Sequence, residues 1–209
     1  MPGFREIATI VDPEFGEPAA MTDEILAEST RQGNGTAFAA LVARHGDAVY
    51  RIAMNMCPSN ADAGEVTRET FLSACRDAGS RPGHASFRTW LYGIAVKKAS
   101  VRQQTSGRQA IPLEVFLPRF DADGGLEPSG EWPEPGSARL EQMDLSGFLR
   151  RALDGMDEGA RTAFVLCDLV QLPPEEAAAI VDAPPEMVRR RVHRARLMLR
   201  GFLDRLWSV

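Results

Sequence analysis

The sequence contains no long apolar run, which excludes one class of protein. No stretch of about eighteen or more apolar residues occurs in the 209-residue chain, and a membrane-spanning helix needs about that length. The opening segment, MPGFREIATIVDPEFGEPAA, lacks the basic flank and apolar block of a secretory signal. We therefore predict a cytoplasmic protein with no membrane insertion.

Cysteine and histidine are also scarce, with three of each. The cysteines are far apart and never form the Cys-x-x-Cys spacing of a zinc site: Cys57, Cys75 and Cys167. The histidines never stand beside a cysteine or carboxylate at ligand spacing: His45, His84 and His193. Each cysteine lies in an apolar helical pattern and is expected to be a small buried hydrophobic residue. The sequence thus predicts no metal, no cofactor and no enzyme of the thiol or metal hydrolase kind.

Basic residues are outnumbered by acidic ones, 24 to 29, giving a net charge of -5, but they are unevenly spread. Residues 189–200 read RRRVHRARLMLR and contain six arginines and a histidine. A second basic group lies within residues 81–102. Because phosphate binding depends on where positive charge lies rather than on net charge, these two segments keep nucleic acid open as a partner.

Proline and glycine divide the chain at residues 105–139. This acidic segment contains five prolines, repeated glycines and no sustained hydrophobic period, as linkers do. A structureless stretch of this length is uncommon inside a compact domain, so we predict that it joins two domains. Its apolar residues indicate that part of it docks on the protein: Leu113, Val115, Phe116, Leu117, Phe120 and Trp132.

Helical periodicity appears on both sides of the linker. Residues 36–57 place a stripe of side chains at three- and four-residue steps: Phe38, Leu41, Val42, His45, Val49, Ile52, Ala53 and Met56. Asn60 is a candidate cap for the next helix. The predicted fold is all-α, with an acidic N-terminal extension at 1–22, small helical domains at 23–104 and 140–209, and the linker at 105–139.

Residues 172–199, LPPEEAAAIVDAPPEMVRRRVHRARLML, predict two helices joined by a very short turn. The first begins near Pro174 and cannot easily continue through Asp182-Ala183-Pro184. Pro185 suits the first turn of the second helix, and Glu186 suits its positive end. Such a pair is a helix-turn-helix, whose second helix can enter the major groove of DNA.

The second of these helices combines one apolar stripe with a basic surface. The stripe is predicted to pack in the core: Val188, Val192, Ala195, Leu199 and Phe202. Arginines occupy the rest: Arg189, Arg190, Arg191, Arg194, Arg196 and Arg200. A solvated face normally mixes both signs of charge, whereas acids are almost absent here. The pattern favours nucleic-acid binding over an ordinary solvated face, and it leaves open which arginines contact bases and which contact phosphates.

A second candidate surface for nucleic acid lies in SFRTWLYGIAVKKASVR, residues 86–102. Trp90 and Tyr92 alternate there with cations: Arg88, Lys97, Lys98 and Arg102. Aromatic rings that stack on bases, beside cations that hold the backbone, suit single-stranded or opened DNA. The alternative is that Trp90 is a core residue.

The predicted helix before residues 86–102 presents an acidic face rather than a basic one. Three acids share one face near two apolar residues: Asp62, Glu65 and Glu69, with Val66 and Phe71. Such a surface suits a basic protein partner, and taken alone it also fits an ordinary solvated face.

Three sequence blocks, in this order, resemble those of bacterial RNA polymerase sigma factors of the extracytoplasmic-function (ECF) group of the sigma-70 family. AFAALVARHGDAVYRIA with DAGEVTRETFLSA resembles the polymerase-binding helices, and FRTWLYGIAVKKA resembles the segment that recognises and melts the minus-10 promoter element. LPPEEAAAIVDAPPEMVRRRVHRARLMLR resembles the helix-turn-helix that reads the minus-35 element. The resemblance covers about residues 23–103 and 140–206. It implies an N-terminal helical bundle of the sigma region 2 type and a C-terminal helix-turn-helix of the region 4 type.

The resemblance implies a DNA-binding subunit that directs core RNA polymerase to specific promoters and initiates transcription. It assigns polymerase binding to Asp62, Glu65, Val66, Glu69 and Phe71. It assigns binding and melting of the downstream element to Arg88, Trp90, Lys97, Lys98 and Arg102. It assigns the upstream element to Glu186, Arg189, Arg190, Arg191, His193, Arg194 and Arg196. The implied partners are core RNA polymerase and promoter DNA, with an anti-sigma factor as a further candidate because family members are often held by one.

The sequence departs from the family pattern at several positions. Asp182 replaces the usual turn glycine, but aspartate tolerates left-handed backbone better than most residues, so the helix-turn-helix is still expected to form. Gly64, Thr67 and Arg68 dilute the acidic helix, and phosphorylation of Thr67 would restore negative charge there. The alternative function is a helix-turn-helix transcriptional regulator with an N-terminal sensor or partner-binding domain, which accounts for the C-terminal block alone.

Overall fold

The computed structural model describes residues 18–77, 86–104, 110–112, 115 and 144–207. These residues contain helices and no strand, which confirms the all-α prediction. Their eight α-helices are α1 (Asp23–Arg31), α2 (Gly35–Met56), α3 (Asn60–Asp77), α4 (Phe87–Gln104), α5 (Leu145–Asp154), α6 (Glu158–Phe164), α7 (Pro174–Val181) and α8 (Pro185–Trp207). A 3-10 turn, Pro18–Ala20, precedes α1, and α6 continues as a π-helix over Val165–Leu169. Most of the predicted N-terminal extension and linker lies outside the described residues, as does His84.

The N-terminal helices pack around the stripe predicted on residues 36–57. All of that stripe is buried except Phe38, which is half-buried and meets the ring of Phe71 edge-on. The cap of α3 differs from the prediction. Ser59 is the capping residue, because its hydroxyl oxygen accepts a hydrogen bond from the backbone N–H of Asp62 at 3.1 Å. Asn60 is instead the first helical residue.

Helix α1 is an element that the hydrophobic pattern did not indicate. The Thr22 hydroxyl accepts from the backbone N–H of Ile25, and Asp23 and Glu24 lie at the positive end of the helix. Only Leu26 and Ala27 are buried, so the apolar stripe of this helix is short. The capping residue and the two acids were therefore the sequence features that indicated this helix.

The buried imidazole of His45 ties α1 to α2 and α4. Its Nε2 lies 2.8 Å from Oδ2 of Asp23, and its Nδ1 lies 3.4 Å from the hydroxyl oxygen of Tyr92. Because a carboxylate can only accept, Nε2 donates to Asp23 and Nδ1 accepts from Tyr92. Burial lowers the pKa of His45, and the attraction of Asp23 opposes this shift without reversing it. Neutral His45 is therefore the form that suits this packing.

The cysteines and Thr67 are packing residues in this fold. Cys57 is buried, and burial raises the pKa of the half-buried Cys75 and Cys167 thiols. Thr67 is 1% exposed, and its hydroxyl donates to the backbone oxygen of Ala63 at 2.8 Å. Phosphorylation of Thr67 therefore does not fit the folded chain.

Helices α7 and α8 form the predicted helix-turn-helix. Asp182 adopts the left-handed conformation, with φ 51° and ψ 55°, and the next backbone N–H, of Ala183, donates to the oxygen of Ala178 at 3.1 Å. α8 then starts at Pro185, as its sequence predicts. The predicted stripe is buried at Val188, Val192 and Ala195, is half-buried at Leu199 and Phe202, and gains the buried Met198.

The start of the linker docks on the C-terminal helices. The backbone N–H of Ile111 donates to the oxygen of Gly155 at 2.8 Å, and its side chain packs against the cluster that contains Leu153 and Met156. A Cβ on Gly155 would lie 2.9 Å from the Ile111 side chain, so the contact requires glycine or a shift of Ile111. Of the apolar residues expected to dock, only Val115 is described, and it is 39% exposed. The others lie outside the described residues.

Candidate nucleic-acid and polymerase interfaces

The basic surface of α8 is partly neutralised by carboxylates from neighbouring elements. Arg189 pairs with Glu175 of α7 and, at 3.2 Å, with Glu186. The other pairs are Arg194 with Asp157 at 3.4 Å and Arg196 with Asp168 at 2.6 Å. The expectation that these arginines lack acidic partners is therefore wrong for three of them. Glu186 lies on α8 itself, three residues from Arg189, but the other acids belong to other elements, so inspection of α8 alone could not find them.

The remaining basic residues at the centre of α8 have no acidic partner in the described part of the chain. No carboxylate among the described residues pairs with Arg190, Arg191 or His193. Arg190 and His193 are exposed, whereas Arg191 is half-buried with its guanidinium against Gly159. An unpaired, exposed arginine on a second helix of this kind is free to contact phosphate or base edges.

Helix α4 presents its candidate DNA residues in different environments. Arg88 forms an ion pair with Glu176 of α7, with Nη2 2.6 Å and 2.5 Å from the two carboxylate oxygens. Trp90 is half-buried, with its ring centroid 5.9 Å from that of Phe87. Lys97 is exposed. Trp90 thus packs against Phe87 while part of its side chain remains exposed.

The other two predicted DNA residues of α4 face α3 instead. Nη2 of Arg102 lies 3.0 Å from Glu65 and 3.2 Å from Glu69, and Nη1 lies 3.6 Å from Asp62. Lys98 lies 3.6 Å from the second carboxylate oxygen of Glu69. The structure therefore brings the predicted polymerase-binding acids together with two predicted DNA-binding cations. Sequence spacing within single helices could not show this pairing.

The two apolar members of the predicted polymerase surface lie in the core. Val66 is 0% exposed and Phe71 is 2% exposed. They can support the position of α3 but do not reach its surface. The accessible part of this surface consists of Asp62, Glu65 and Glu69 on the outer face of α3.

Two segments of the chain match two family models, in the order expected. Sigma-70 region 2 matches residues 41–106, and Sigma-70, region 4 matches residues 149–199. The chain is 34% identical over 179 residues to the ECF RNA polymerase sigma-E factor of Escherichia coli K12, covering 84% of this chain and 91% of that protein.

The chain is an ECF sigma factor of the sigma-70 family.

The sigma-E factor of Haemophilus influenzae gives a similar result, with 31% identity over 190 residues that cover 89% of this chain and 97% of the relative. Among solved structures, CnrH in complex with the cytosolic domain of CnrY matches with a TM-score of 0.64 at 28% identity, covering 88% of this chain and 97% of CnrH. RpoE of Bartonella quintana, in complex with the anti-sigma factor NepR, matches with a TM-score of 0.55 at 23% identity, covering 78% and 93% of the chains. That last likeness concerns the fold alone.

The function of this chain follows from its membership of the sigma factor family. It directs core RNA polymerase to promoters for the initiation of transcription, and its partners are core polymerase and promoter DNA. Sigma factors are DNA-binding initiation factors rather than conventional enzymes. Both region matches lie in one chain, so the alternative of a helix-turn-helix transcriptional regulator with an N-terminal sensor or partner-binding domain is wrong.

Across residues 18–77, 86–104 and 144–207, no helix is long and apolar enough to cross a membrane. In the same part of the chain, no three histidine, cysteine or carboxylate side chains gather as metal ligands.

Proposed function

We propose that α8 binds the upstream promoter element chiefly through Arg190, Arg191 and His193. The supporting observation is that these residues have no carboxylate partner within the described part of the chain, while their neighbours do. The remaining predicted residues flank this centre and contribute through their ion-paired side chains: Glu186, Arg189, Arg194 and Arg196. Residues 140–209 thus form the upstream-binding domain.

In this proposal, α4 engages the downstream element through Arg88, Trp90 and Lys97. Lys97 supplies charge for the backbone, Arg88 does so when DNA replaces its partner Glu176, and the partly exposed ring of Trp90 stacks on an unpaired base. Lys98 and Arg102 brace α4 against α3, because their cations lie beside carboxylates. Residues 23–104 then form the domain that binds both polymerase and the minus-10 element.

The outer face of α3 is the proposed contact with core polymerase. Among the described residues, two cations lie beside its three carboxylates, so these five side chains carry a net charge of -1 rather than the -3 of the carboxylates alone. A basic polymerase surface would share or replace those cations. Val66 and Phe71 are buried in the core, where their packing holds α3 in position.

The two DNA contacts act together on one polymerase scaffold. Each is modest alone, and joining them makes the second contact intramolecular. The acidic linker is proposed to run through the basic interior of polymerase. The protein is proposed to act in the cytoplasm and to have no catalytic chemistry of its own.

An anti-sigma protein is a proposed further partner. RpoE of Bartonella quintana was solved with the anti-sigma factor NepR, and CnrH was solved with the cytosolic domain of CnrY. The likeness to CnrH covers most of both chains, so an equivalent surface is available for a partner that competes with polymerase.

Transcription in vitro tests this proposal. Purified sigma factor and core polymerase are given a library of randomised promoters, and the transcribed sequences are recovered. We expect enrichment of two separated sequence elements, and Arg190→Ala should weaken selection at the upstream one alone. Enrichment that is unchanged by Arg190→Ala would overturn the assignment of α8.

A further inference from the structure

Arg191 differs in burial from Arg190 and His193, the other two residues proposed at the centre of the upstream contact. Both of those residues are exposed, whereas Arg191 is half-buried. Arg191 follows Val188 by three residues and precedes Ala195 by four, and both of these apolar residues are 0% exposed. Because residues three and four apart share a helix face, Arg191 leaves α8 on the side that packs in the core.

The helix that packs against α8 on this side is α6, and its second residue is Gly159. A Cβ on Gly159 would lie 3.0 Å from Nε, 3.2 Å from Cζ and 3.4 Å from Cδ of Arg191. Non-bonded carbon atoms in favourable contact lie about 3.5–4.0 Å apart. The guanidinium of Arg191 therefore occupies space that the side chain of any other residue at position 159 would enter.

This contact holds Arg191 without neutralising it, whereas the same turn of α6 holds Arg194 by charge. Oδ1 of Asp157 accepts a hydrogen bond from the backbone N–H of Ala160 at 2.9 Å, and its Oδ2 lies 3.4 Å from Nε of Arg194. No carboxylate of the described ranges pairs with Arg191. Arg191 is thus oriented by the shape of α6 and keeps a charge that these carboxylates do not offset.

Packing along α6 also prepares Arg191 for an anionic partner. An arginine side chain has several rotatable bonds, and the loss of their freedom opposes binding. Because Arg191 is half-buried and already lies against Gly159, less freedom remains to be lost when its guanidinium meets a target.

The position of Arg191 on α8 indicates which part of DNA it meets. A recognition helix in the major groove turns its outward side to the base edges, and the sugar-phosphate strands flank the groove. Arg190 and His193 lie on the outward side, whereas Arg191 reaches solvent at the edge of α8 beside α6. A phosphate oxygen is therefore the acceptor that suits its charge and its position.

We propose that Gly159 is a positioning residue for the upstream contact. Because it has no side chain, the guanidinium of Arg191 can lie along α6 and present its charge to a phosphate group beside the upstream element. The inference rests on the proposed binding of that element by α8. It adds the DNA group that Arg191 contacts and a residue of another helix that sets the direction of Arg191.

Gly159→Ala tests the positioning role. The three atoms nearest the new Cβ all belong to Arg191, so the change acts first on this side chain, while alanine favours helix formation. Circular dichroism and thermal melting should show a fold at least as stable as wild type. Holoenzyme affinity for a promoter recovered from the randomised library should fall about 2- to 12-fold, the range for a side chain moved about 30° off its rotamer.

Gly46→Ala is the matched control for that variant. It also replaces a helical glycine with alanine, but on α2, where the new Cβ would meet only Cγ1 of Val42, at 3.9 Å. We expect it to leave promoter affinity unchanged. An equal loss in both variants would overturn the positioning role of Gly159.

A double-mutant cycle shows whether Gly159 acts through Arg191. Arg191→Ala alone should lower promoter affinity about 10- to 100-fold, the scale of a hydrogen bond to a charged group. With Arg191 truncated, Gly159→Ala has no guanidinium to displace, so it should cause no further loss. A merely structural effect of Gly159→Ala would lower affinity by the same factor in both backgrounds, and this result would overturn the inference.

Salt dependence and base preference identify the DNA group. Arg191→Ala should lower the slope of log K against log salt by about one unit and leave the bases selected at the upstream element unchanged. Gly159→Ala should change the slope in the same direction by a smaller amount. A changed base preference in Arg191→Ala would overturn the phosphate contact.

The outcomes separate this inference from the proposed function. If Arg191→Ala weakens promoter binding and Gly159→Ala does not, the positioning role fails and the assignment of α8 stands. If Arg191→Ala leaves affinity unchanged while Arg190→Ala weakens it, Arg191 makes no DNA contact and the inference fails alone. If neither arginine variant affects the upstream element, the assignment of α8 fails together with the inference.

Discussion

Arg102, at the end of α4, holds its Nη2 atom 3.0 Å from the carboxylate of Glu65 on α3. The same guanidinium lies within 3.6 Å of Asp62 and Glu69. A cation that was expected to contact DNA therefore lies within the acidic group that was expected to contact polymerase. The two roles predict opposite effects of one substitution.

Replacing Arg102 with glutamine should strengthen binding to core polymerase. The change removes one of two cations beside three carboxylates, so the acidic group becomes more negative and attracts a basic surface more strongly. We expect the dissociation constant to fall about 2- to 5-fold at low salt, the scale of exposed ion pairs, and the gain to shrink as salt is added. Titration of labelled core polymerase at two salt concentrations measures this.

Weaker promoter binding by Arg102→Gln holoenzyme, with unchanged polymerase affinity, would instead support a direct DNA contact. Lys97→Gln is the matched control, since Lys97 lies on the same helix and is exposed. It should weaken promoter opening and leave polymerase affinity unchanged.

Arg190→Ala should weaken promoter binding and lower its salt dependence. Arg190 is exposed and has no carboxylate partner in the described ranges, so its loss removes a direct contact. We expect holoenzyme affinity to fall about 5- to 100-fold, and the slope of log K against log salt to lose about one unit if the contact is to phosphate. Fluorescence anisotropy across a salt series measures both quantities.

Arg196→Ala provides the comparison on the same helix. Arg196 pairs with Asp168 at 2.6 Å, so part of its charge is already neutralised within the protein. A slope change as large as that of Arg190→Ala would contradict the division of α8 into paired and unpaired arginines.

Stability should fall on acidification because of His45. Burial lowers the pKa of His45 below the ordinary value of 6.5, so the unfolded chain binds this proton more readily than the folded chain does. The contribution of neutral His45 is therefore fully present above about pH 6.5 and is lost as pH falls from there toward the lower folded pKa. Urea denaturation between pH 7.5 and 5.5 should show this loss.

His45→Gln should make that part of the pH dependence disappear, although the variant is less stable at neutral pH. A wild-type profile in His45→Gln would show that other groups cause the acid sensitivity.

Asp182→Val should destabilise the helix-turn-helix. Asp182 has φ 51°, and left-handed backbone costs an L-residue roughly 1–2 kcal/mol, with a branched side chain at the upper end. We expect a loss of about 1–2 kcal/mol in the free energy of unfolding. Asp182→Gly should stay within about 1 kcal/mol of wild type, because glycine accepts this conformation but gains freedom in the unfolded chain. Equal losses in both variants would point to the carboxylate rather than to the backbone.

Much of the fold could be predicted from local patterns. The stripe on α2, the start of α8 at Pro185 and the left-handed Asp182 each follow from residues close together in sequence. Helix α1 was missed because its buried stripe is only Leu26 and Ala27. Two buried residues are too few to show a three- or four-residue hydrophobic period.

The chemistry of the surfaces was harder to predict, because it depends on partners from distant elements. Arg88 meets Glu176 across 88 positions, and Arg196 meets Asp168 across 28. A helix read by itself shows its own charges but not the charges packed beside it. The sequence therefore located the basic and acidic surfaces, while the structure determined which of their charges remain available.

The Ile111 contact with Gly155 also sets an effective concentration. With Ile111 docked, about 7 residues connect α4 to the C-terminal helices; with it released, about 40 would, counting from Gln104. Because effective concentration falls roughly as the −3/2 power of tether length, the docked isoleucine raises the local concentration of the C-terminal helices around α4 by about 14-fold.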